Sequence, residues 1–236
     1  KIYAMVTNID ENFGKLINKL DELKLKENTI LIFLTDNGPQ QPRYISNLRG
    51  LKSQVYNGGI KVPFYFNYPK IHGKDQDIDF FSAHIDVLPT LAKLCDLPLP
   101  NDRIIDGVDL FDKNVNKNKR DFFSYWTRKS PELYKNISLS SGNYKLVGNS
   151  NYNSPIEDFE LYDLEIDPSE NENLVSSEKA IAKDMKLRMD KIYLELINSK
   201  NILKKQRIHI GTINENPTFL NRNDASGQRG IWAQNE

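Results

Sequence analysis

The run of apolar and β-branched residues from Thr29 to Thr35 constrains the fold of this chain more than any other segment. Side chains of this kind at successive positions predict a strand with both faces covered, which is typical of a parallel sheet. Residues Ile60 to Phe66 predict a second short strand, and Pro63 within it favours an edge or a bulge. The two runs therefore predict the beginning of a sheet.

Helical patterns flank these strands. Apolar residues recur at intervals of three and four from Ile2 to Leu23, which predicts an amphipathic helix. The pattern is already under way at Lys1 with no capping residue before it, so we expect further residues upstream. Asp86 is placed to cap another helix that runs to about Cys95, and the apolar run around Cys95 predicts a core thiol. This alternation of helices and strands predicts an α/β core.

Beyond residue 111 the pattern changes to short strands. Residues 112–120 are a polar linker rich in lysine and asparagine, and residues 177–198 have the apolar spacing of a long helix. Ser141-Gly142-Asn143 is a hairpin signal, and we predict a small antiparallel sheet with a terminal helix. The four apolar runs that form the predicted sheet are 122–126, 137–139, 144–147 and 159–162. The predicted division is 1–111 for the α/β core, 112–200 for the small sheet with its helix, and 201–236 for an extended tail or the start of a further segment.

Composition narrows the classes of partner. The chain has 32 Lys and Arg residues against 32 Asp and Glu residues, a net charge of zero that gives no indication of nucleic-acid binding. No stretch approaches the roughly 20 apolar residues that a membrane span requires. The single cysteine excludes an internal disulfide.

The strand that ends at Thr35 leads directly into a candidate site. Asp36 and Asn37 fall at its carboxyl end, where open α/β sheets bind ligands, and their oxygens suit Ca²⁺ or Mg²⁺. Lys52 is a compact charge suited to an oxyanion such as phosphate or sulfate. The alternative is that Asp36-Asn37-Gly38 is only a turn and Lys52 a solvated surface charge.

Two further residues near this segment have a structural and a functional interpretation. For Arg49 we expect pairing with a nearby carboxylate rather than oxyanion binding. His84, beside the predicted helix start, is either a base or ligand or a hydrogen-bonded structural residue, and we expect the latter. No serine nucleophile elbow, Walker loop or zinc-type Cys/His cluster is present.

Five motifs in order resemble the second half of a type I sulfatase, the formylglycine-dependent family of the alkaline phosphatase superfamily. The resemblance covers roughly residues 1–198 and implies an alkaline phosphatase-like sheet flanked by helices, of which this chain holds the C-terminal half. The motifs are the strand ending in Asp36-Asn37-Gly38, Leu48-Arg49-Gly50-Leu51-Lys52 with Val55 to Pro63, His84 to Leu91, Asp106 to Leu110, and Glu160 to Pro168.

The resemblance implies roles for three residues. Asp36 and Asn37 would ligate an active-site Ca²⁺, and Lys52 would hold a sulfate oxygen and offset the charge of the transfer. The nucleophile of the family is a formylglycine made from a Cys/Ser-x-Pro-x-Arg motif, which these 236 residues do not contain. Asn57 stands where the family usually has Glu, and Ser53 where Gly is common.

We therefore expect the C-terminal portion of a Ca²⁺-dependent sulfatase that acts on a sulfated carbohydrate or aryl ester, inactive as this fragment alone. In residues 40–47, the expected sugar-reading loop, Arg43 is the candidate for contact with an acidic sugar. The family implies a periplasmic or extracellular location. The alternatives are a phosphatase or phosphotransferase of the same superfamily with two zinc or manganese ions, and a non-catalytic remnant that binds a carbohydrate or a partner.

Overall fold

A computed structural model describes most of the chain between Lys1 and Ser199. The residues described are 1–70, 77, 80–114, 120–127, 133–150 and 154–199, with the strand backbone of 208–210 and 218–220. Most of the predicted linker and tail, including 115–119, 200–207, 211–217 and 221–236, lies outside them. Two compact units are Lys1–Met189 and Asp190–Glu236. The predicted boundary at residues 111 and 112 does not coincide with this division and stays a prediction.

The first helix, α1, is confirmed and spans Ile2–Glu22. None of its residues is buried, and its apolar side chains include Met5 at 65% exposure and Val6 at 57%. A 3₁₀ turn, Lys26–Asn28, connects α1 to the first strand. The helix follows from its apolar periodicity, and Phe13 on its apolar face contacts the ring of Phe33 in the first strand, at 5.6 Å between ring centres.

The first two strands form an antiparallel pair, so the predicted parallel pairing of the first strand is wrong. Strand β1 (Leu31–Leu34) pairs with β2 (Phe64–Asn67), and all four residues of β1 are only half-buried. A parallel neighbour needs a long crossover, usually a helix, whereas residues 35–63 hold only the one-turn helix α2 (Asn57–Ile60). Because of that turn, β2 begins later in the chain than predicted, after the proline at position 63.

Helix α3 spans Val87–Leu94 and follows a 3₁₀ turn, His84–Asp86. The Asp86 carboxylate is fully buried and does not cap α3. Its two oxygens accept hydrogen bonds from the backbone N–H groups of Ala83 and Val108, each at 2.9 Å, and from the Arg120 guanidinium. Cys95 is exposed, which corrects the expected core thiol, because it follows the last turn of α3.

The predicted antiparallel sheet is confirmed. It contains β3 (Asp121–Tyr125), β4 (Ile137–Ser141), β5 (Tyr144–Gly148) and β6 (Glu160–Asp163), paired in that order. The predicted hairpin joins β4 to β5, and Gly142 in its turn has a φ of +55°, which favours glycine. This is the largest sheet in the described part of the chain.

Strand alternation gives this sheet two different faces. One face carries Leu139, Leu146 and Leu161, which are adjacent in the register and have no exposed surface. The other face carries Lys145 and Tyr162, also adjacent and buried. Both faces are therefore covered, although only one is purely apolar.

The terminal helix is confirmed as α4, Lys179–Ile197, with Ala182, Met185 and Met189 buried. In the second unit, β7 (Ile208–Ile210) pairs antiparallel with β8 (Thr218–Leu220). Within the described residues, no helix combines the length and apolar character that crossing a bilayer requires.

Candidate functional site

The candidate site begins where β1 ends. His84 Nε2 donates to the Thr35 carbonyl at 2.8 Å, so His84 has the structural role expected for it and fixes the end of the strand. Asn37 N–H donates to Asp36 Oδ1 at 2.9 Å, and Asn37 Nδ2 donates to the Gly38 carbonyl at 2.8 Å. These contacts turn the chain sharply after the strand, as the turn interpretation requires, and they also set the direction of both side chains.

Three glycines allow the strand end to pack directly on the segment of residues 49–60, which we call the site loop. Gly38 N–H donates to the Gly59 carbonyl at 2.8 Å, and Gly58 N–H donates to the Arg49 carbonyl at 2.6 Å. A Cβ atom on Gly38 would lie 1.8 Å from the Gly58 carbonyl oxygen, and one on Gly58 would lie 2.3 Å from that of Gly50. A larger residue at position 38 would therefore force the strand end away from the site loop, and one at position 58 would distort the site loop itself.

Lys52 projects from the site loop beside Asp36. Its backbone N–H donates to the Pro39 carbonyl at 2.9 Å, and its Nζ lies 4.0 Å from Asp36 Oδ2. The Lys52 side chain is 45% exposed and that of Asp36 is 81% exposed. The fold thus brings together the predicted oxyanion-binding cation and a predicted metal ligand, in a setting that leaves both accessible to a ligand.

Asp36 and Asn37 fit a hard cation as part of a ligand set. Asp36 supplies an exposed carboxylate. Among the described residues, the Asn37 side chain makes one hydrogen bond, through its amide nitrogen, and no residue donates to Asn37 Oδ1. Oxygen donors of these two kinds suit Ca²⁺, which takes six to eight ligands. The described residues contain no group of three or more His, Cys, Asp or Glu side chains that could hold a metal. A complete metal site at this position would therefore need ligands in addition to Asp36 and Asn37.

Arg43 is exposed, and its Nη2 donates to Gln41 Oε1 at 2.6 Å. Among the described residues, no contact joins its side chain to Asp36 or Lys52. The predicted role of Arg43 in substrate binding therefore stays a prediction.

Arg49 pairs with a carboxylate, as expected, and joins the site loop to β6. Its Nη2 lies 3.2 Å from Glu160 Oε1, and its Nη1 donates to Tyr162 Oη at 2.5 Å. The guanidinium also lies 4.0 Å from the centre of the Tyr56 ring. Burial and the hydrogen bonds that both phenols donate to Glu160 raise the pKa of Tyr56 and of Tyr162.

A buried ion pair lies under Asn57. Lys145 Nζ is 2.7 Å from Glu170 Oε1, and neither side chain has exposed surface. Asn57 Oδ1 accepts from Lys145 Nζ at 3.0 Å, and Asn57 N–H donates to Glu170 Oε2 at 2.7 Å. Burial lowers the pKa of Lys145, and the Glu170 carboxylate opposes that shift. The site loop is thus anchored to charges in the protein interior.

Asn136 forms a third anchor. Its Nδ2 donates to the Ser53 carbonyl at 2.7 Å, and its Oδ1 accepts from Val55 N–H at 3.2 Å. Sequence reasoning missed Asn136, Lys145 and Glu170. A lysine in a strand predicts a solvent face, and only the tertiary contact with the site loop shows that this face is covered.

Two family models match the chain, and together they cover residues 1–195. The model described as Sulfatase matches residues 1–97. The model described as N-sulphoglucosamine sulphohydrolase, C-terminal, matches residues 51–195, which is more than half of the chain. These matches confirm the resemblance inferred from the five motifs.

Curated relatives are longer than this chain. An N-acetylgalactosamine-6-O-sulfatase of Bacteroides thetaiotaomicron is 27% identical over 208 residues, which are 77% of this chain and 39% of that protein. Human steryl-sulfatase is 35% identical over 125 residues, which are 49% of this chain and 21% of that protein. The chain thus spans well under half of the length of either relative.

Solved structures share the fold. The crystal structure of Ps i-CgsB has a TM-score of 0.68 and 25% identity, covering 80% of this chain and 41% of that one. Ps i-CgsB has also been crystallised with k-i-k-neocarrahexaose. PsFucS1 sulfatase from Pseudoalteromonas has a TM-score of 0.66 and 19% identity, covering 83% of this chain and 43% of that one. The predicted fold class is confirmed by these similarities.

Proposed function

Because the chain belongs to the sulfatase family, we propose that it is the C-terminal portion of a sulfuric ester hydrolase that acts on sulfated carbohydrates. The single observation that supports this activity most is the placement of Lys52 Nζ 4.0 Å from Asp36 Oδ2, at the end of β1. A cation for an oxyanion and an oxygen donor for a metal are thereby adjacent. The carbohydrate class is supported by the N-acetylgalactosamine-6-O-sulfatase and by the saccharide complex of Ps i-CgsB.

The roles of the site residues follow from their chemistry. Lys52 holds a sulfate oxygen and offsets the negative charge that builds up as the S–O bond breaks. Asp36 and Asn37 would hold Ca²⁺, which would polarise the sulfate group. The nucleophile and the remaining ligands come from residues outside these 236, since the Cys/Ser-x-Pro-x-Arg motif is absent from them. The fragment alone is therefore inactive.

Two finer proposals accompany this one. Arg43, exposed in the loop after β1, binds an acidic group of the sugar. The full-length protein works in the periplasm or outside the cell, the location that membership of the family implies.

The test uses the full-length protein with 4-nitrophenyl sulfate and with a sulfated monosaccharide, each with added Ca²⁺. We expect sulfate release that chelation abolishes and that Lys52→Ala lowers by about 10²–10³-fold, the loss typical of removing one charge-stabilising donor. Lys26→Ala is the matched control, because Lys26 is also 45% exposed and pairs with Asp21, yet lies outside the site.

Three outcomes would contradict the proposal. The first is no sulfate release from either substrate by the wild-type protein. The second is full activity of the Lys52→Ala variant. The third is faster release of phosphate from 4-nitrophenyl phosphate, which would favour a phosphatase.

A further inference from the structure

The site loop is tied to the four-stranded sheet on both sides of Lys52. Before Lys52, Arg49 contacts Glu160 and Tyr162 of β6. After it, Asn136 holds the residues at positions 53 and 55, and the buried Lys145–Glu170 pair holds Asn57. Among the described residues, the ion pair of the Lys52 side chain is a 4.0 Å contact with Asp36, and the side chain is 45% exposed. Its position is therefore determined by the backbone on either side of it.

We propose that the four-stranded sheet positions Lys52 for the sulfate group, through Asn136 and through the buried group of Asn57, Lys145 and Glu170. These are positioning residues, because none of them lies where the reacting atoms would bind. The inference rests on the proposed function, since it assigns the residues to the same reaction.

Asn136 is the anchor next to Lys52. It precedes β4, where Ile137 is fully buried and paired with both neighbouring strands, so its own backbone is held firmly. The Ser53 carbonyl that it binds belongs to the residue after Lys52, and Ser53 has a φ of +72°. That conformation is unfavourable for a residue with a Cβ atom and persists only where contacts enforce it. The Asn136 side chain supplies such a contact.

The buried group holds the far end of the site loop. Glu170 Oε2 accepts from the backbone of Asn57, and Lys145 Nζ binds its side-chain oxygen. Asn57 Nδ2 also donates to the Pro168 carbonyl at 3.0 Å, so both ends of the amide are satisfied. A buried ion pair tolerates little displacement, because each charge depends on the other for its stabilisation. The position of Asn57 is thereby defined.

These anchors act on Lys52 because the site loop is closed on itself. Gly58 N–H donates to the Arg49 carbonyl at 2.6 Å, and Gly59 N–H donates to the Tyr56 carbonyl at 2.8 Å. These hydrogen bonds and the close glycine contacts leave the site loop little room to deform. A shift of the residues that are anchored to the sheet therefore also moves Lys52. Displacement of a catalytic group by about 1 Å lowers rates by about 10²-fold.

The experiment compares two isosteric variants of the full-length protein, Asn136→Asp and Asn173→Asp. Each replaces an amide donor facing a carbonyl with a carboxylate oxygen, at Ser53 O for Asn136 and at Phe159 O for Asn173. Asn173 bridges β6 to residue 175, and its hydrogen bonds go to residues 159, 161 and 175 rather than to the site loop. For 4-nitrophenyl sulfate we expect kcat to fall at least tenfold in Asn136→Asp and less than twofold in Asn173→Asp.

A double-variant cycle shows whether Asn136 acts through Lys52. In a Lys52→Ala background, Asn136→Asp should change kcat by less than twofold, because the group that it positions is gone. Equal losses of kcat in the presence and absence of Lys52 would overturn the proposal. Equal losses in the Asn136 and Asn173 variants would overturn it as well. Asn57→Ala serves as the second variant if Asn136→Asp does not fold, with the same expectations.

A spectroscopic measurement separates failure of this inference from failure of the proposed function. Reductive ¹³C-methylation of the lysines gives an NMR signal for Lys52, identified by its loss in Lys52→Arg. That signal should move in Asn136→Asp and stay in place in Asn173→Asp, whether or not the wild-type protein releases sulfate. An unmoved signal in a folded Asn136→Asp variant would refute the positioning role. Absence of sulfate release with a moved signal would refute only the proposed sulfatase activity.

Discussion

Two lysine–carboxylate pairs lie at opposite ends of the site loop, and they differ in almost every physical respect. Lys52 and Asp36 are 4.0 Å apart, with side chains that are 45% and 81% exposed. Lys145 and Glu170 are 2.7 Å apart, and neither side chain has any exposed surface. The same chemical pair is thus accessible to a ligand at one end and sealed in the protein at the other.

The difference in exposure distinguishes charges that are available to a ligand from charges that hold the fold together. An exposed pair at long distance contributes between about 0 and 1 kcal/mol to stability, so its charges remain available for other partners. A buried pair carries a large desolvation penalty for both ions, so removal of either partner leaves an uncompensated charge. The chain therefore places its accessible charges where they stabilise little and its anchoring charges where burial restricts their movement.

Breaking the buried pair should have the largest effect. Glu170→Gln leaves the Lys145 ammonium without a counter-charge, and we expect a loss of about 3–5 kcal/mol in the free energy of unfolding. Lys145→Met should lose a similar amount, since it leaves the carboxylate alone. Denaturant titration of the full-length protein followed by tryptophan fluorescence measures these losses.

The double variant Lys145→Met/Glu170→Gln is the control for this comparison. Both substituted side chains are uncharged, and the amide at position 170 still offers an oxygen to Asn57 N–H. The double variant should therefore be less destabilised than either single variant. A double variant that loses the sum of the two single effects would show that the two side chains do not act as a pair.

The sequence predicted the exposed pair and not the buried one, for a physical reason. Asp36 could be identified from the end of a predicted strand and Lys52 from a recognisable motif, and both signals lie within residues 29–63. Lys145 lies in the alternating run of β5, where alternation identifies two faces but not what covers them. Its cover is a segment about ninety positions earlier in the chain, which no local pattern reports.

The same distinction holds for the fold. The strands of the four-stranded sheet and both long helices could be predicted, because each depends on its own periodicity and turn residues. The pairing of β1 could not, because an apolar run is compatible with either strand direction until its neighbour is known. Cys95 was misplaced because position in an apolar run does not report the end of a helix.

Asp86 provides a second buried charge with which to test the comparison, with a smaller expected effect. Asp86→Ala removes the acceptor of two backbone N–H groups and the partner of Arg120, whose side chain is only 13% exposed. We expect a loss of about 3 kcal/mol in the free energy of unfolding. Denaturant titration beside Asp102→Ala, an exposed carboxylate that also pairs with an arginine, provides the contrast. Similar losses in the two variants would contradict the importance of burial.

High pH should lower the free energy of unfolding through the two tyrosines beside Arg49. Tyr56 and Tyr162 have folded pKa values above their unfolded value of about 10, because burial and the Glu160 carboxylate disfavour the phenolates. Their contribution is complete below pH 10 and is lost as pH rises through the folded pKa, since only the unfolded chain ionises in that window. We expect a loss of about 1 kcal/mol per tyrosine between pH 9 and pH 11.

The matched control for this pH dependence is Tyr162→Phe, which cannot ionise at that position. Its stability should fall less between pH 9 and pH 11 than that of the wild-type protein, when both are measured by denaturant titration. Absorbance at the tyrosinate band should likewise show a late-ionising component in the wild-type protein that is smaller in Tyr162→Phe. A variant with the same pH dependence as the wild type would show that Tyr162 is not held by Glu160.

The exposed pair should give the smallest effect on stability. Lys52→Met removes the charge but keeps a side chain of similar length, and the pair that it breaks is long and solvated. We expect a change of less than about 0.5 kcal/mol in the free energy of unfolding, together with the loss of sulfate release proposed above. Denaturant titration and the 4-nitrophenyl sulfate assay on the same preparation measure both. A Lys52 variant that unfolds as readily as Glu170→Gln would place Lys52 among the anchors of the fold. Activity lost at unchanged stability would instead mean that the accessible end of the site loop serves the ligand and the buried end serves the structure.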